Sequence, residues 1–406
     1  MTYYIASASR SGPLYHSRKV LFRQGPNTSN AISVSRTSTE PEATLSDQRQ
    51  MSENMKVTFP DKPPHMPDKY TWLRRVGYSS NYHVGTCIPS SVLEDACSRL
   101  SNGADENSVT DALLRKVLII KIPIEDCHSP YEQSTMNKEI RTLQKIKGEA
   151  YSRSGGQHCA QIVDHYDMET EDKEETGWLV MDTVPLSCDL AAISLFDTRA
   201  KLPEALLWLV VTQMYDIFWF LQHDCTPYIT HRDLGSSSIV ISFPHEQGQN
   251  SESAAAKQPK VTLVGFGGSV IEDNNDPVKM KTDALFGNEA IMEDVMNLVT
   301  EICNLVKRCY DYSTSIRGTG KIIRSTVVLL DEDAPEEVDT FFRGANSMTS
   351  LEELWADIGE FAKKQLEKVG DEEWEELKDL VLEIEKSGGS LRDVVKDFLK
   401  GHPAED

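Results

Sequence analysis

The stretch THRDLGSSSIVIS, residues 230–242, decides how the rest of the chain is read. It places His231, Arg232 and Asp233 directly before a short apolar run, Ile239-Val240-Ile241, and fills the interval with Gly235 and three serines. Upstream lies LLWLVVTQMYDIFWFLQ (206–222), where Leu206, Val210, Met214, Ile217 and Leu221 recur at helical spacing and predict a helix with one apolar face. Downstream, the polar stretch FPHEQGQNSESAAAKQPK (243–260) reads as a solvated insertion before a second apolar run, VTLV (261–264), which ends in Gly265-Phe266-Gly267-Gly268. Three ionisable side chains are therefore framed by a helix and a strand, and no cation or amide follows Asp233 in the loop.

The same reading extends outward. LRRVGY (73–78), KVLIIKIPI (116–124), AQIVDHYDM (160–168) and GWLVMDTV (177–184) are predicted strands, and Met136, Ile140 and Leu143 predict one helix between the second and third of them. METEDKEET (168–176) is an acidic, solvated turn. After Pro203 helices dominate, down to a segment in which Trp374, Leu377, Leu380, Val381 and Ile384 fall on one face and are expected to pack on the helical part. The expected class is α+β, with a small, mostly β part at 67–185 and a larger helical part at 186–406. Residues 1–66 are rich in Ser, Thr and Pro and read as a disordered tail.

The 406 residues carry 42 basic and 64 acidic side chains, a formal net charge of -22. That balance argues against binding along a nucleic-acid backbone, which needs clustered Lys and Arg to release counterions. Five of the basic residues (Arg10, Arg18, Lys19, Arg23, Arg36) and none of the acids lie in residues 1–39, so the start of the chain is a different kind of sequence. Eight cysteines are scattered without a CxxC pair, as expected for reduced thiols rather than a disulfide frame or a zinc site. Mean hydropathy is -0.41, and no run of about 18 apolar residues is expected to offer a membrane span.

Strands with one helix, a connecting segment, then helices carrying His-Arg-Asp: in this order the chain resembles the protein kinase-like superfamily over residues 70 to about 310. The resemblance implies a bilobal fold with a small β N-lobe and a helical C-lobe. Lys121, the sole charge flanked by apolar strand residues in KVLIIKIPI, matches the strand lysine that pairs with phosphates and with a helix glutamate, here Glu139. Asp233 matches the loop aspartate that orients the attacking hydroxyl or accepts its proton. Lys121, Glu139 and Asp233 are thus the implied catalytic residues. Gly77 and Val84 match the glycine-rich loop, and Met181, Asp182 and Val184 match the gate and hinge. With Lys121, these five are the implied nucleotide contacts.

The departures are as specific as the matches. Ser79 and Tyr82 stand where the second and third loop glycines belong, and Tyr82 would crowd a phosphate. Gly235 replaces the lysine that offsets transition-state charge. Ser238 replaces the magnesium-binding Asn, and Gly265 replaces the magnesium-binding Asp of the family's D-F-G. No A-P-E occurs between Gly267 and Glu293, and Asp294 matches the helix aspartate that braces the catalytic loop.

The resemblance therefore implies a catalytically impaired member, a pseudokinase that works as a binding or allosteric signalling module. An active divergent kinase is the alternative, with Asp233 and Lys121 at work and Glu272 or Asp273 standing in for a lost ligand. A small-molecule phosphotransferase of the same superfamily would suit the short activation segment, yet it needs the same two metal ligands. ATP is the implied nucleotide. Magnesium lacks its protein ligands at Gly265 and Ser238, and no metal residue is assigned. A protein partner is expected, rather than nucleic acid or membrane. The expected location is cytoplasmic, with a mitochondrial alternative from the acid-poor, basic N-terminus.

Overall fold

Apolar residues that alternate between two faces build one antiparallel sheet from Tyr70 to Asp182. Its strands are β1 (Tyr70–Tyr78), β2 (Tyr82–Pro89), β3 (Leu118–Pro123), β4 (Ile162–Tyr166) and β5 (Trp178–Asp182), in spatial order β1-β2-β3-β5-β4. The computed structural model describes residues 63, 65–78, 81–124, 130–150, 155–166, 177–183, 186–196, 201–244, 258–272, 277–310, 312–317, 325–330, 334–348 and 350–401. The N-terminal tail before 63, the acidic turn at 168–176 and most of the insertion at 243–260 lie outside these residues, as do Ser79, Val184 and Asp273.

Ile120, Ile122, Trp178 and Val180 form one face of the sheet with Tyr70, Trp72 and Met66. Met66, read from sequence as part of the tail, is buried there. The alternate residues Ile119, Leu179 and Met181 join Tyr82 and Val84 in the main core on the other face. The two-residue period puts Lys121, between Ile120 and Ile122, on that inner face. Gly85 lies beneath Trp72, whose ring would be 2.2 Å from any β-carbon added there, so β1 and β2 close tightly at this point.

Among the described residues three helices, not one, interrupt the strands. α1 (Ser90–Ser101) and α2 (Glu106–Leu114) lie between β2 and β3, and α3 (Pro130–Ala150) lies between β3 and β4. α2 starts at Asp105, whose carboxylate accepts from the Ser108 amide at 2.8 Å and satisfies one of the free N–H groups of the first turn. α3 lays Met136, Ile140 and Leu143 into the main core, as their spacing predicts.

The helical region begins with β6 (Leu186–Asp189) and α4 (Leu190–Phe196). Its axis is α5 (Glu204–Trp219), which continues through one wide turn at Phe220–Asp224. This 21-residue segment is long and apolar enough to span a membrane by composition, against the expectation from sequence, yet 72% of its most apolar window is buried inside the protein. It is apolar nearly all round because it is surrounded. Short strands follow: β7 (Ile229–Thr230), β8 (Ile239–Phe243), β9 (Lys260–Leu263) and β10 (Val270–Ile271). β6, β8 and β9 make a second small sheet, and β7 pairs with β10. Then come α6 (Pro277–Cys309), a hairpin of β11 (Tyr312–Arg317) and β12 (Ser325–Leu330), and α7 (Glu336–Gly344). α8 (Leu351–Leu354) runs through a wide turn into α9 (Glu360–Leu366), and α10 (Asp371–Ser387) and α11 (Leu391–Gly401) end the described chain. α10 buries Trp374, Leu377 and Val381 in the main core, as expected. α11 does not follow it: it packs on β1, α1 and α2.

Candidate functional site

Lys121 and Glu139 meet where the inner face of the sheet touches α3. In β3, Lys121 pairs with Val84 of β2 and Leu179 of β5, which aims its side chain at the helix. Glu139 sits beside the buried Ile140 and is itself only 1% exposed. Lys121 Nζ lies 2.5 Å from Glu139 Oε2. The pairing expected from sequence is therefore present, and its burial makes each partner the reason the other can be charged. On its other side the ammonium faces the ring of Tyr82, 4.2 Å from the centroid, and Tyr82 is buried. A cation held against both a carboxylate and an aromatic face has its main attractions satisfied within the protein.

The His-Arg-Asp loop is fixed from below by α6. Asp294, fully buried, accepts from the backbone amides of His231 at 2.7 Å and Arg232 at 2.8 Å. Arg232 adopts φ +60, a left-handed conformation that costs energy for a residue with a β-carbon, and the two amides locked on one carboxylate hold it there. Burial raises the Asp294 carboxyl to about 6, partly offset by the two amides. His231 is equally buried and is pushed down to about 4 by desolvation. Its Nε2 lies 3.0 Å from the Val264 carbonyl and its Nδ1 accepts from the Asp233 amide at 3.3 Å, an arrangement that suits the neutral ring. Its edge rests on Phe266, with centroids 4.9 Å apart.

Arg232 also reaches out of the loop. Its Nε donates to Thr230 Oγ1 at 3.2 Å and its Nη2 to Glu272 Oε1 at 3.1 Å. Glu272, a candidate replacement metal ligand on sequence grounds, is buried and committed to this ion pair.

The glycine turn after β9 packs against the same residues from a third side. Gly265 has φ +83, and Phe266–Gly268 make a single tight turn that buries Phe266 completely. A β-carbon on Gly267 would lie 2.8 Å from Thr135 and 3.6 Å from the Glu139 carboxylate, and one on Gly268 would lie 3.1 Å from Asp233 Cβ. These near contacts show α3, the turn and the His-Arg-Asp loop pressed together, with Asp233 close enough to the Lys121–Glu139 pair to feel both charges. Ser269 ties the turn to α3 through Thr142, oxygen to oxygen 2.8 Å, a link that nothing in the linear motifs marks. Asp233 keeps an accessible edge. The surrounding protein mass pushes its carboxyl upward, Lys121 draws it back down, and Glu139 adds to the rise.

The two positions that match metal ligands also face each other. A β-carbon on Gly265 would meet only Ser238 Oγ, at 3.6 Å. Ser238 spends its hydroxyl on the Asp233 carbonyl at 3.0 Å. Among the described residues no three His, Cys, Asp or Glu side chains converge as a metal site. Of the implied nucleotide contacts, Gly77 pairs with Val84 across β1 and β2, Met181 is buried beside Ile119, and Asp182 is exposed at the end of β5. α6 begins at Pro277, so most of the interval between Gly267 and Glu293 is helix. Compared with known proteins, the chain matches no family model and no curated protein.

Proposed function

We propose that this chain is a divergent, bilobal protein kinase-like domain that does not transfer phosphate and works as a binding or allosteric module. The carrying observation is the convergence of Lys121, Glu139, Asp233 and the glycine turn, while the two facing positions that match metal ligands are Gly265 and Ser238, whose hydroxyl is engaged by the Asp233 carbonyl. Phosphoryl transfer relies on positioning and on metal neutralisation of charge that spreads over the phosphate oxygens. Neither Gly265 nor the Ser238 hydroxyl offers a carboxylate or amide oxygen to a hard cation, so magnesium does not fit these residues. The triphosphate end of ATP fits poorly as well, because the Lys121 ammonium that would meet a phosphate is held by Glu139 and faced by the buried ring of Tyr82.

The divergent-kinase reading draws its support from Asp233, which stays accessible on the cleft beside an intact Lys121–Glu139 pair. Its weakness is the replacement ligand, since Glu272 is engaged by Arg232. The partner we propose is a protein, with no role for nucleic acid or membrane, and the proposed setting is the cytoplasm. With radiolabelled ATP and magnesium, the purified chain should label neither itself nor generic protein substrates above the Asp233→Asn background. Labelling that is lost in Asp233→Asn would overturn the proposal in favour of the active kinase.

A further inference from the structure

Away from the Lys121–Glu139 pair, one cavity gathers positive charge in a chain whose formal net charge is -22. It encloses about 330 Å³ and is lined by Lys147 and Ala150 of α3, Gln157 and Gln161 ahead of β4, and Lys260 at the start of β9. No acidic side chain is among these lining residues. Lys147 lies about two turns further along α3 than Glu139, roughly 12 Å, so the cavity is a separate place.

Backbone bonds fix the lining. Lys260 pairs with Ser242 of β8, and its carbonyl accepts from Ser242 Oγ at 3.2 Å. The Gln161 carbonyl accepts from the Asp182 amide at 2.9 Å, and the Gln161 side chain donates to the carbonyls of Gly156 and Cys159 at 3.0 and 2.9 Å, which leaves its Oε1 as an unspent acceptor. The Lys147 ammonium gives one N–H to the Ile162 carbonyl at 2.9 Å and keeps two. The half-buried Lys260 ammonium has no hydrogen bond and no ion pair among the described residues. Burial lowers its pKa, and the more distant Asp182 offsets this only in part.

A cation partly removed from water with no bonded partner is an uncompensated cost, and an anion seated between the two ammoniums would remove it. Lys147 is in the last turn of α3, where the helix end is partly negative, so it does not supply the attraction alone and Lys260 is needed beside it. Two point charges suit a phosphate monoester, which carries about -1.5 to -2 at neutral pH. The volume is at the lower end of the roughly 300–1,000 Å³ of small-molecule pockets, room for more than a bare oxyanion. Gln157 and the Gln161 Oε1 offer hydrogen bonds to whatever carries the phosphate. We propose that this cavity binds a phosphate monoester between Lys147 and Lys260. The site rests on these residues alone and stands or falls independently of the kinase reading.

The test uses the full chain with glycerol 3-phosphate, an otherwise neutral peptide carrying one phosphoserine, or sulfate at matched ionic strength. Acetylation by an N-hydroxysuccinimide ester, mapped by mass spectrometry, reads each lysine. At least one of the two esters should slow the labelling of Lys147 and Lys260 together by about fivefold or more, with exposed Lys364 unchanged. Whichever ester protects at the lower concentration names the source of the phosphate, small molecule or protein. By calorimetry, Lys260→Gln and Lys147→Gln should each weaken binding of that ester about tenfold, the loss of one charge-assisted hydrogen bond. Lys260→Gln should do so without loss of stability in urea, because the ammonium it removes bonds nothing in the protein. Lost stability with unchanged binding would make Lys260 a structural partner of Asp182 and overturn the site. Protection of Lys121 in place of Lys147 and Lys260 overturns it as well. Sulfate protecting as strongly as both esters reduces the cavity to an adventitious ion only, and no protection by either ester at millimolar concentration refutes it outright.

Discussion

Asp294→Ala should cost this protein about 3–5 kcal/mol at neutral pH, much of the stability a typical domain possesses. The substitution leaves the amides of His231 and Arg232 without their acceptor beside the fully buried His231 and position 294, each worth roughly 1–3 kcal/mol. It also frees Arg232 from the conformation it holds at φ +60. Urea denaturation at pH 7 measures the loss. A change below about 1 kcal/mol would mean that the loop is held by something else.

The same pair gives a pH signature with a definite sign. The Asp294 pKa is raised in the folded state, so its contribution is greatest below the unfolded value near 3.8 and is lost as pH rises through about 6. The His231 pKa is depressed, so its contribution runs the other way: present above the unfolded value near 6.5, lost as pH falls towards about 4. In the native chain the two slopes oppose each other between pH 4 and 6. In Asp294→Asn only the His231 slope remains. Relative to that variant, the native protein should therefore lose on the order of 3 kcal/mol between pH 4 and 6, from about two pKa units at roughly 1.4 kcal/mol each. Parallel stability curves for the two proteins over that range would contradict the buried-carboxylate account.

The second large effect is a gain. Gly265→Asp with Ser238→Asn should convert a magnesium-insensitive cleft into one whose affinity for ATP rises at least about tenfold with magnesium. The geometry permits it. The new β-carbon at 265 has only Ser238 within 4 Å, and Asp tolerates the left-handed backbone better than most residues. Adding Tyr82→Gly should enlarge the effect, because it uncovers Lys121 for the phosphates. Activity need not follow, since Gly235 still leaves transition-state charge without its lysine. A triple variant no more sensitive to magnesium than the native chain would show that ligand loss is not what distinguishes this cleft.

How much of this was legible in the sequence depends on the range of the contact. Lys121 and Glu139 could be placed because a strand and a helix each fix a face from local spacing alone, and the two residues are only 18 positions apart in the chain. Asp294 was legible from its helix and from the motif order. The position of Tyr82 was legible as a bulky residue where a glycine belongs, but its place over Lys121 depends on the register of β2 against β3, in which Val84 and not Tyr82 is the partner of Lys121. α1 and α2 carry readable local signals, such as Leu93, Ala96 and Leu100 at helical spacing and Asp105 before an apolar run. Where they pack was not readable, because their cluster is completed by α11, and the Arg392–Asp111 pair joins positions 281 residues apart. The engagement of Glu272 by Arg232 was hidden for the same reason: it depends on β7 pairing with β10.

Calorimetric titration of the unmodified protein with ATP, run with and without magnesium, tests the central claim most directly. If the cleft keeps its cation for itself and lacks metal ligands, the two titrations should agree within about threefold in affinity. Tightening by a factor of ten or more with magnesium, abolished in Asp233→Asn, would contradict it and make the cleft a working nucleotide site.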